Sequence, residues 1–463
     1  MSLQGQRSTD RRRIRPAGFR FATVLLFLLT VSGVFAPRAH AQDRPLEQGR
    51  PLEQDRPLEQ DRPLELEACV RLALEANPDF QSRRAALDAS RASVTGARSA
   101  RYPSLGLSAG AARYESGGTG ALDRHNVGVS VRQTLYRGGR VAAGVDAAAS
   151  ALEADQAAVA AARADLVLAV RQAWYGAAQA LRLVRSAEDG LARSRLNLDF
   201  AEAQLEAGLG TRPDVLRARV DVSAAELELT RARNVLDGAR ARLNALMGRS
   251  PARSLELATV DVEAPLPALP PWEELRQRAL ESREEVRLAR ARTERQEALV
   301  RMARGTFLPS ISADADVGRG AVASRSPEES WSVGVSFSLP LFEGFARSAD
   351  VEAEGALLTA ARFDEVAVIQ AVEGEVWDAL LGEGESARRL ENARALFAAA
   401  EENLEAAEES YRQGLGSIIA LVDARTSYTE AEQVLIQAVY DRRIARAVLE
   451  RVVDGDTYGR DDS

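Results

Sequence analysis

Two hydrophobic periods alternate along this chain, and their order is written twice. A short helical pattern over about 67–76 and a medium one over about 78–101 stop at Tyr102-Pro103, because a residue before proline is pushed out of the helical region. Beyond that break the period falls to two. Leu105, Leu107, Ala109 and Ala111 alternate with Ser104, Gly106, Ser108 and Gly110; after a polar, glycine-rich loop, Val127, Val129 and Val131 alternate with Gly128, Ser130 and Arg132. The second pass has helical patterns over about 272–280 and 284–305, a stop at Leu308-Pro309, and two further alternating runs. In these, Ile311, Ala313, Ala315 and Val317 oppose Ser312, Asp314, Asp316 and Gly318, while Trp331, Val333, Val335, Phe337 and Leu339 oppose Ser332, Gly334, Ser336 and Ser338. Strands are therefore expected at about 104–114, 126–136, 310–319 and 330–340. Each has one apolar and one small-polar face, as a membrane barrel requires of its lipid and lumen sides.

Each strand pair leads into a rod. From Gly139 to Ala207 a helical pattern runs without proline for about 69 residues, or about 100 Å at 1.5 Å per residue. Val145, Leu152, Val159 and Leu166 keep a seven-residue step, and a slip of four re-phases it to Val184, Leu191, Leu198 and Leu205, as in a coiled coil with a stutter. The return helix to Met247 shows Val215, Val222, Leu229, Leu236 and Leu243, again in sevens. A second rod from about 345 to 413 and a return from about 417 to 452 repeat the arrangement.

The landmarks repeat at an offset of about 206 residues. Pro103 falls on Pro309, Tyr136-Arg137-Gly138 on Phe342-Glu343-Gly344, and Gly208-Leu209-Gly210 on Gly414-Leu415-Gly416. Trp174 and Trp377 are offset by 203, which predicts one helix turn lost between the halves. The expected organisation is a first repeat over 66–268 with its long hairpin at 139–247, a second over 269–453 with its hairpin at 345–452, and a tail at 454–463. Four strands cannot close a barrel, and open edges in hydrocarbon strand backbone groups at several kcal/mol each. Identical copies must therefore join: two would give eight strands, and three would give twelve around an open lumen. The expected fold class is an α+β membrane protein, a barrel with four strands per protomer continued by a long α-helical coiled-coil barrel and built by internal duplication.

Composition narrows the picture further. Aromatics make up only 5% of the chain against 46% apolar residues, which suits thin helical walls packed through alanine rather than a thick core. Arg11, Arg12, Arg13, Arg15 and Arg20 precede an apolar run from Phe21 to Phe35 and the small residues of Ala39-His40-Ala41, the pattern of an export signal over 1–41. Those residues carry seven Arg and one Asp, so their removal takes the net charge from −8 to −14 and argues against nucleic-acid binding. Between them and the first repeat, 42–65 repeats Arg-Pro-Leu-Glu as a low-complexity leader whose prolines forbid regular helix. The one cysteine, Cys69, cannot pair within the chain, and its apolar helical setting reads as a small packed side chain. His125 is the one histidine after the signal, and a lone loop His assembles neither a zinc site nor a catalytic triad, so no metal, cofactor or enzymatic activity is expected.

The duplicated half, the Leu66-Glu67-Ala68-Cys69-Val70 opening with Asn77-Pro78, the Tyr136-Arg137-Gly138-Gly139 and Leu339-Pro340-Leu341-Phe342-Glu343-Gly344 junctions, and the two Gly-Leu-Gly tips resemble the TolC-type outer-membrane efflux proteins over nearly all of 66–453. That resemblance implies a homotrimer in the cell outer membrane, with its helical barrel in the periplasm, that takes substrate from an inner-membrane pump through a periplasmic adaptor. It places adaptor docking at Ala207, Gly208, Leu209, Gly210, Gln413, Gly414, Leu415 and Gly416, glycines that also suit a tight turn with positive φ. It puts an acidic periplasmic gate at Asp423, with Ala420 at the family's other acidic position; Asp214 and Arg217 are their counterparts in the first half. Outer-membrane lipid would meet Val127, Val129, Val131, Trp331, Val333, Val335 and Phe337. Trp331, Tyr136, Phe342 and Phe307 lie near strand ends, where an aromatic girdle is expected. A periplasmic coiled-coil adaptor or scaffold is the alternative, since it too would carry long hairpins, but it needs no alternating strands.

Overall fold

Proline and glycine set the element boundaries. The computed structural model describes residues 63–116, 120–258, 262, 264–322, 328–413 and 415–455. The expected export signal, nearly all of the leader, Gly414 and the tail beyond Gly455 lie outside the described residues. Helices α1 (Leu66–Ala76) and α2 (Pro78–Ser99) are separated at Asn77, whose side chain accepts from Phe80 N at 3.0 Å while Pro78 opens the next helix. Strands β1 (Ser104–Ser116) and β2 (Gly120–Arg137) follow, then α3 (Arg140–Glu206) and α4 (Arg212–Leu246). The second half repeats the series with α5 (Trp272–Ser282), α6 (Glu284–Arg304), β3 (Ser310–Val322), β4 (Glu328–Ser338), α7 (Ala346–Arg412) and α8 (Ile418–Asp454).

Both rods, α3 and α7, contain 67 residues. The turn expected to be lost between Trp174 and Trp377 is therefore retained. Val170 and Val376, each fully buried, keep the offset of 206, and Leu380 holds the place of Trp174. What moved is the aromatic ring rather than the backbone. Trp174 closes a core with Cys69, Val70, Leu243 and Met247, whereas Trp377 is half-exposed and meets Trp272 edge-on at 5.2 Å.

The four strands form one antiparallel sheet in the order β1-β2-β3-β4. Its central pairing joins the two halves, with Val129 opposite Val317 and Val131 opposite Ala315. A bulge at Leu135 then shifts the register, so that Thr134 faces Ser312 and Tyr136 faces Ile311. An extra residue reverses side-chain parity, and the bulge thereby returns Tyr136 to the apolar face. Below the sheet each rod pairs with its return helix around heptad positions such as Val184, Leu191, Leu229 and Leu236. Helix α6 ties α3 to α7, through Arg301–Asp146 at 3.2 Å on one side and Thr293–Glu365 at 2.9 Å on the other. Helix α8 lies on α3 as well as on α7, through Ser186–Glu432 at 2.6 Å and Arg171–Glu450 at 2.9 Å.

Candidate functional site: a two-faced sheet and linked helical tips

The strand register sorts the sheet into two faces. Leu105, Leu107, Val127, Val129, Val131, Ala315, Val317, Trp331, Val333, Val335 and Phe337 share one of them. Trp331, Val333, Val335 and Phe337 each leave 64–77% of their surface uncovered, and Leu105 and Leu107 leave more than 70%. The opposite face carries Ser, Gly and a charged network in which Arg132 Nε donates to Asp314 Oδ1 at 2.7 Å. Ser336 and Ser312 donate to the same carboxylate at 3.1 and 3.2 Å. One side thus satisfies its polar groups as if in water, while the other leaves large apolar side chains bare. The outer edges of β1 and β4 are unpaired among the described residues.

At the far end of the rods the chain turns twice in the same way. Ala207 ends α3, Gly208 adopts φ 75°, and the amides of Leu209 and Gly210 both donate to Gln204 O. In the second tip, following Gln413, the amides of Leu415 and Gly416 both donate to Ser410 O. A Cβ on Gly210 or Gly416 would stand 3.1 Å from the preceding helix end, so a larger residue would press either turn against its helix. Leu209 and Leu415 project from these turns, each 82% exposed.

The acidic candidates differ in setting. Asp214 accepts from the backbone amide and hydroxyl of Thr211 at 3.0 and 2.6 Å, completing a capping box that starts α4. Asp423 is exposed on α8, one turn beyond the second tip, and so is Arg217 on α4. Between the return helices, burial raises the carboxyl of Asp221 above its ordinary range, while Arg217 and Arg425 pull it down. The two halves are linked near the tips by Tyr411, whose ring meets Phe200 at 5.9 Å and whose hydroxyl lies 3.5 Å from Gln204. Higher up, Arg193 covers the ring of Tyr428 at 5.3 Å, and Tyr428 also packs on Phe397.

Sequence reasoning missed these cross-links, and it missed a buried ionic cluster towards the middle of the rods. Arg283, 4% exposed, donates to Glu285 and Glu375, and Arg451, 7% exposed, donates to Glu285 and Asp165, all at 2.7–2.8 Å. Burial alone would raise Glu285, but hydrogen bonds from Arg283 and Arg451 outweigh it and hold the carboxyl at about 2. Arg283 stands where the first half has Asn77. Both side chains donate to the end of a return helix, Asn77 to Leu246 O and Arg283 to Val452 O. Superposing the repeats at 206 residues would have flagged this substitution. Cys69, by contrast, sits fully buried as a packing residue, with burial pushing its thiol up to about 11. Among the described residues no helix is long and apolar enough to cross a membrane, and no group of three His, Cys, Asp or Glu could hold a metal ion.

Residues 69–249 and 275–454 match the family described as outer membrane efflux protein, so each match covers one repeat. Protein CyaE of Bordetella pertussis is 32% identical over 319 residues, which make up 64% of this chain and 65% of CyaE, just under two thirds of that relative's length. Outer membrane protein OprJ of Pseudomonas aeruginosa is 27% identical over 412 residues, 84% of each chain. A crystal structure of a membrane protein from Pseudomonas aeruginosa superposes with a TM-score of 0.75 at 26% identity, covering 84% of this chain and 92% of that one.

Proposed function

The chain belongs to the outer membrane efflux protein family, and from that membership we propose that it works as a homotrimeric duct, conducting substrate from an inner-membrane pump and periplasmic adaptor across the periplasm and outer membrane. The observation that carries this is the sheet: an apolar face left bare, a polar face internally satisfied, and two unpaired edges. In water such a sheet would aggregate; in a bilayer, closed by further copies, it is complete. Strand directions alternate, so β4 of one copy meets β1 of the next antiparallel. Three copies supply twelve strands, enough for an open lumen lined by the Arg132–Asp314 face.

The duplication supports the same closure. At the 206-residue offset β4 corresponds to β2 and β1 to β3, so β4 against the next copy's β1 repeats the pairing already made inside the chain. Helix α7 likewise lacks on its outer flank the neighbours that α2 and α4 would supply. It buries 8 residues where α3 buries 18.

Docking of the adaptor is assigned to Ala207–Gly210 and Gln413–Gly416, where the exposed Leu209 and Leu415 offer apolar knobs. The gate is assigned to Asp423, with Asp214 holding the turn beside it through its capping box. Opening would part the second hairpin from the first and break the Tyr411–Gln204, Arg193–Tyr428 and Ser186–Glu432 contacts. The test is fractionation with electrophoresis: the protein should be recovered from outer membranes as a trimer whose migration changes on heating. Recovery as a soluble periplasmic monomer would refute the duct.

A further inference from the structure

The polar face of the sheet is built mostly from the smallest side chains, and its charges near mid-strand are gathered in one place. Four successive rows cross the strands on this face. The first holds Thr134, Ser312 and Ser336; the second Ser104, Arg132, Asp314 and Gly334; the third Gly106, Ser130, Asp316 and Ser332; the fourth Ser108, Gly128, Gly318 and Ser330. In these rows Arg132, Asp314 and Asp316 are the only side chains longer than threonine, so they reach farthest from the wall. The next charges on the face, Arg137 on one side and Arg124 and Glu328 on the other, are at least four residues away along a strand, about 13 Å at about 3.3 Å per residue.

The two carboxylates differ in their partners. Asp314 accepts from Arg132 at 2.7 Å and from Ser336 and Ser312 at 3.1 and 3.2 Å, which fastens β2 to β3 and leaves no net charge on the pair. Asp316 accepts from Ser332 alone among the described residues, at 3.4 Å. The wall does not need its charge. At the 206-residue offset Asp314 and Asp316 fall on Ser108 and Gly110, and Arg132 falls on Ser338, and these uncharged residues pair as regularly in the same sheet.

We infer that Asp316, set beside the neutralised Arg132–Asp314 pair, biases the barrel toward cationic over anionic solutes at the exit of the duct, an inference that rests on the lumen reading above. One guanidinium against two carboxylates leaves each copy at −1, and three copies place −3 around one level of the lumen. This belt lies in the sheet, at the opposite end of the rods from Asp423 on α8, so it acts on solutes that have already passed the tips. In a water-filled lumen its charge works over a Debye length of about 8 Å at physiological salt. A cation passing within that range is concentrated along the wall and an anion is depleted, while an uncharged solute passes without preference.

The experiment measures how fast a thiol at Ser130→Cys, directly opposite Asp316, reacts with methanethiosulfonates carrying either a trimethylammonium or a sulfonate group. Purified trimers in detergent, in a Cys69→Ala background, admit both reagents through the barrel mouth whatever the state of the tips. Each rate is divided by that of a free thiol in solution, and the ratio of the two then cancels any change in the ionisation of the cysteine itself. The cationic reagent should lead by about tenfold at low salt, and by little at about 1 M salt, where the Debye length is about 3 Å. Asp316→Asn should bring the ratio to parity, and Ser332→Arg, in the same row, should favour the sulfonate. Equal rates for the two reagents beside the native belt, or a ratio left unchanged by Asp316→Asn, would overturn the bias while leaving the duct intact. A thiol at position 130 that reacts with neither reagent would instead overturn the water-filled lumen.

Discussion

Replacing Val333 by Arg puts a guanidinium in the middle of the bare face of β4, between Trp331 and Val335. Its wild-type side chain is 71% exposed in the isolated chain, so the substitution neither opens a cavity nor crowds a core. Any penalty must come from what that face meets. An arginine near the midplane on the lipid side of a barrel costs about 2–4 kcal/mol, and three copies bring the sum to about 6–12 kcal/mol, comparable with the whole stability of a domain. One residue earlier, Ser332→Arg lands on the opposite face, beside the Asp316 carboxylate that Ser332 itself reaches at 3.4 Å. There the new charge is solvated and partnered, and its effect should stay within about 1 kcal/mol. Heat-modifiable trimer in outer-membrane extracts measures both variants. Val333→Arg should lose most of the trimer and Ser332→Arg should keep it. Equal yields for the two variants would refute the assignment of faces, whichever way they fell.

Three further outcomes are expected. At the seam between copies, Val335→Cys with Ala111→Cys, the counterparts of the Val129–Val317 pair, should form an inter-copy disulfide, whereas Val335→Cys with Ala109→Cys should not; cross-linking only in the shifted pair would overturn the register. For the ionic cluster, Glu285 is held at about 2 against an ordinary 4.5, so its contribution, on the order of 3 kcal/mol, is present above pH 4.5 and lost as pH falls through about 2. Glu285→Gln should flatten the loss of thermal stability across that window, and an unchanged slope would exclude the cluster. At the proposed gate, Asp423→Ala should raise single-channel conductance and weaken block by divalent cations, and Tyr428→Ala, which removes the Arg193 contact, should raise conductance without affecting block. Unchanged conductance in both would remove the tip assignment.

The elements were legible because each follows from a local period. Alternation in Val127–Val131 or Trp331–Phe337 is visible in a handful of residues, and a 67-residue rod announces itself through sevens and the absence of proline. The bulge was not legible: Gln133-Thr134-Leu135-Tyr136 contains no parity signal, and only the partner strand shows which residue is extra. The tip links were invisible for a different reason. Gln204 and Tyr411 are 207 residues apart, and nothing local marks either as one half of a pair. The Trp174–Trp377 comparison misled because it matched one residue type, whereas the repeats keep the backbone register, as the two 67-residue rods and the buried Val170 and Val376 show.

That same comparison separates the two seams of the proposed assembly. Inside the chain, ion pairs cross between the halves: Arg132–Asp314 in the sheet, Arg301–Asp146 between α6 and α3, and Arg171–Glu450 and Arg451–Asp165 between α3 and α8. Shifted by 206 residues, the positions that would meet between copies are Ser338 with Ser108, Thr95 with Glu352, Trp377 with Asn244, and Ala371 with Ala245, none of which pairs opposite charges. A pair of opposite charges holds a fixed geometry but releases it when salt or protons intervene, whereas apolar and small neutral contacts respond to neither. These ion pairs therefore fasten the two halves in the sheet and along the rods, away from the tips, where Tyr411–Gln204 and Arg193–Tyr428 are the links. In the proposed ring no such pair is available between copies, so salt and protons act on the joint inside each subunit rather than on the contact between subunits.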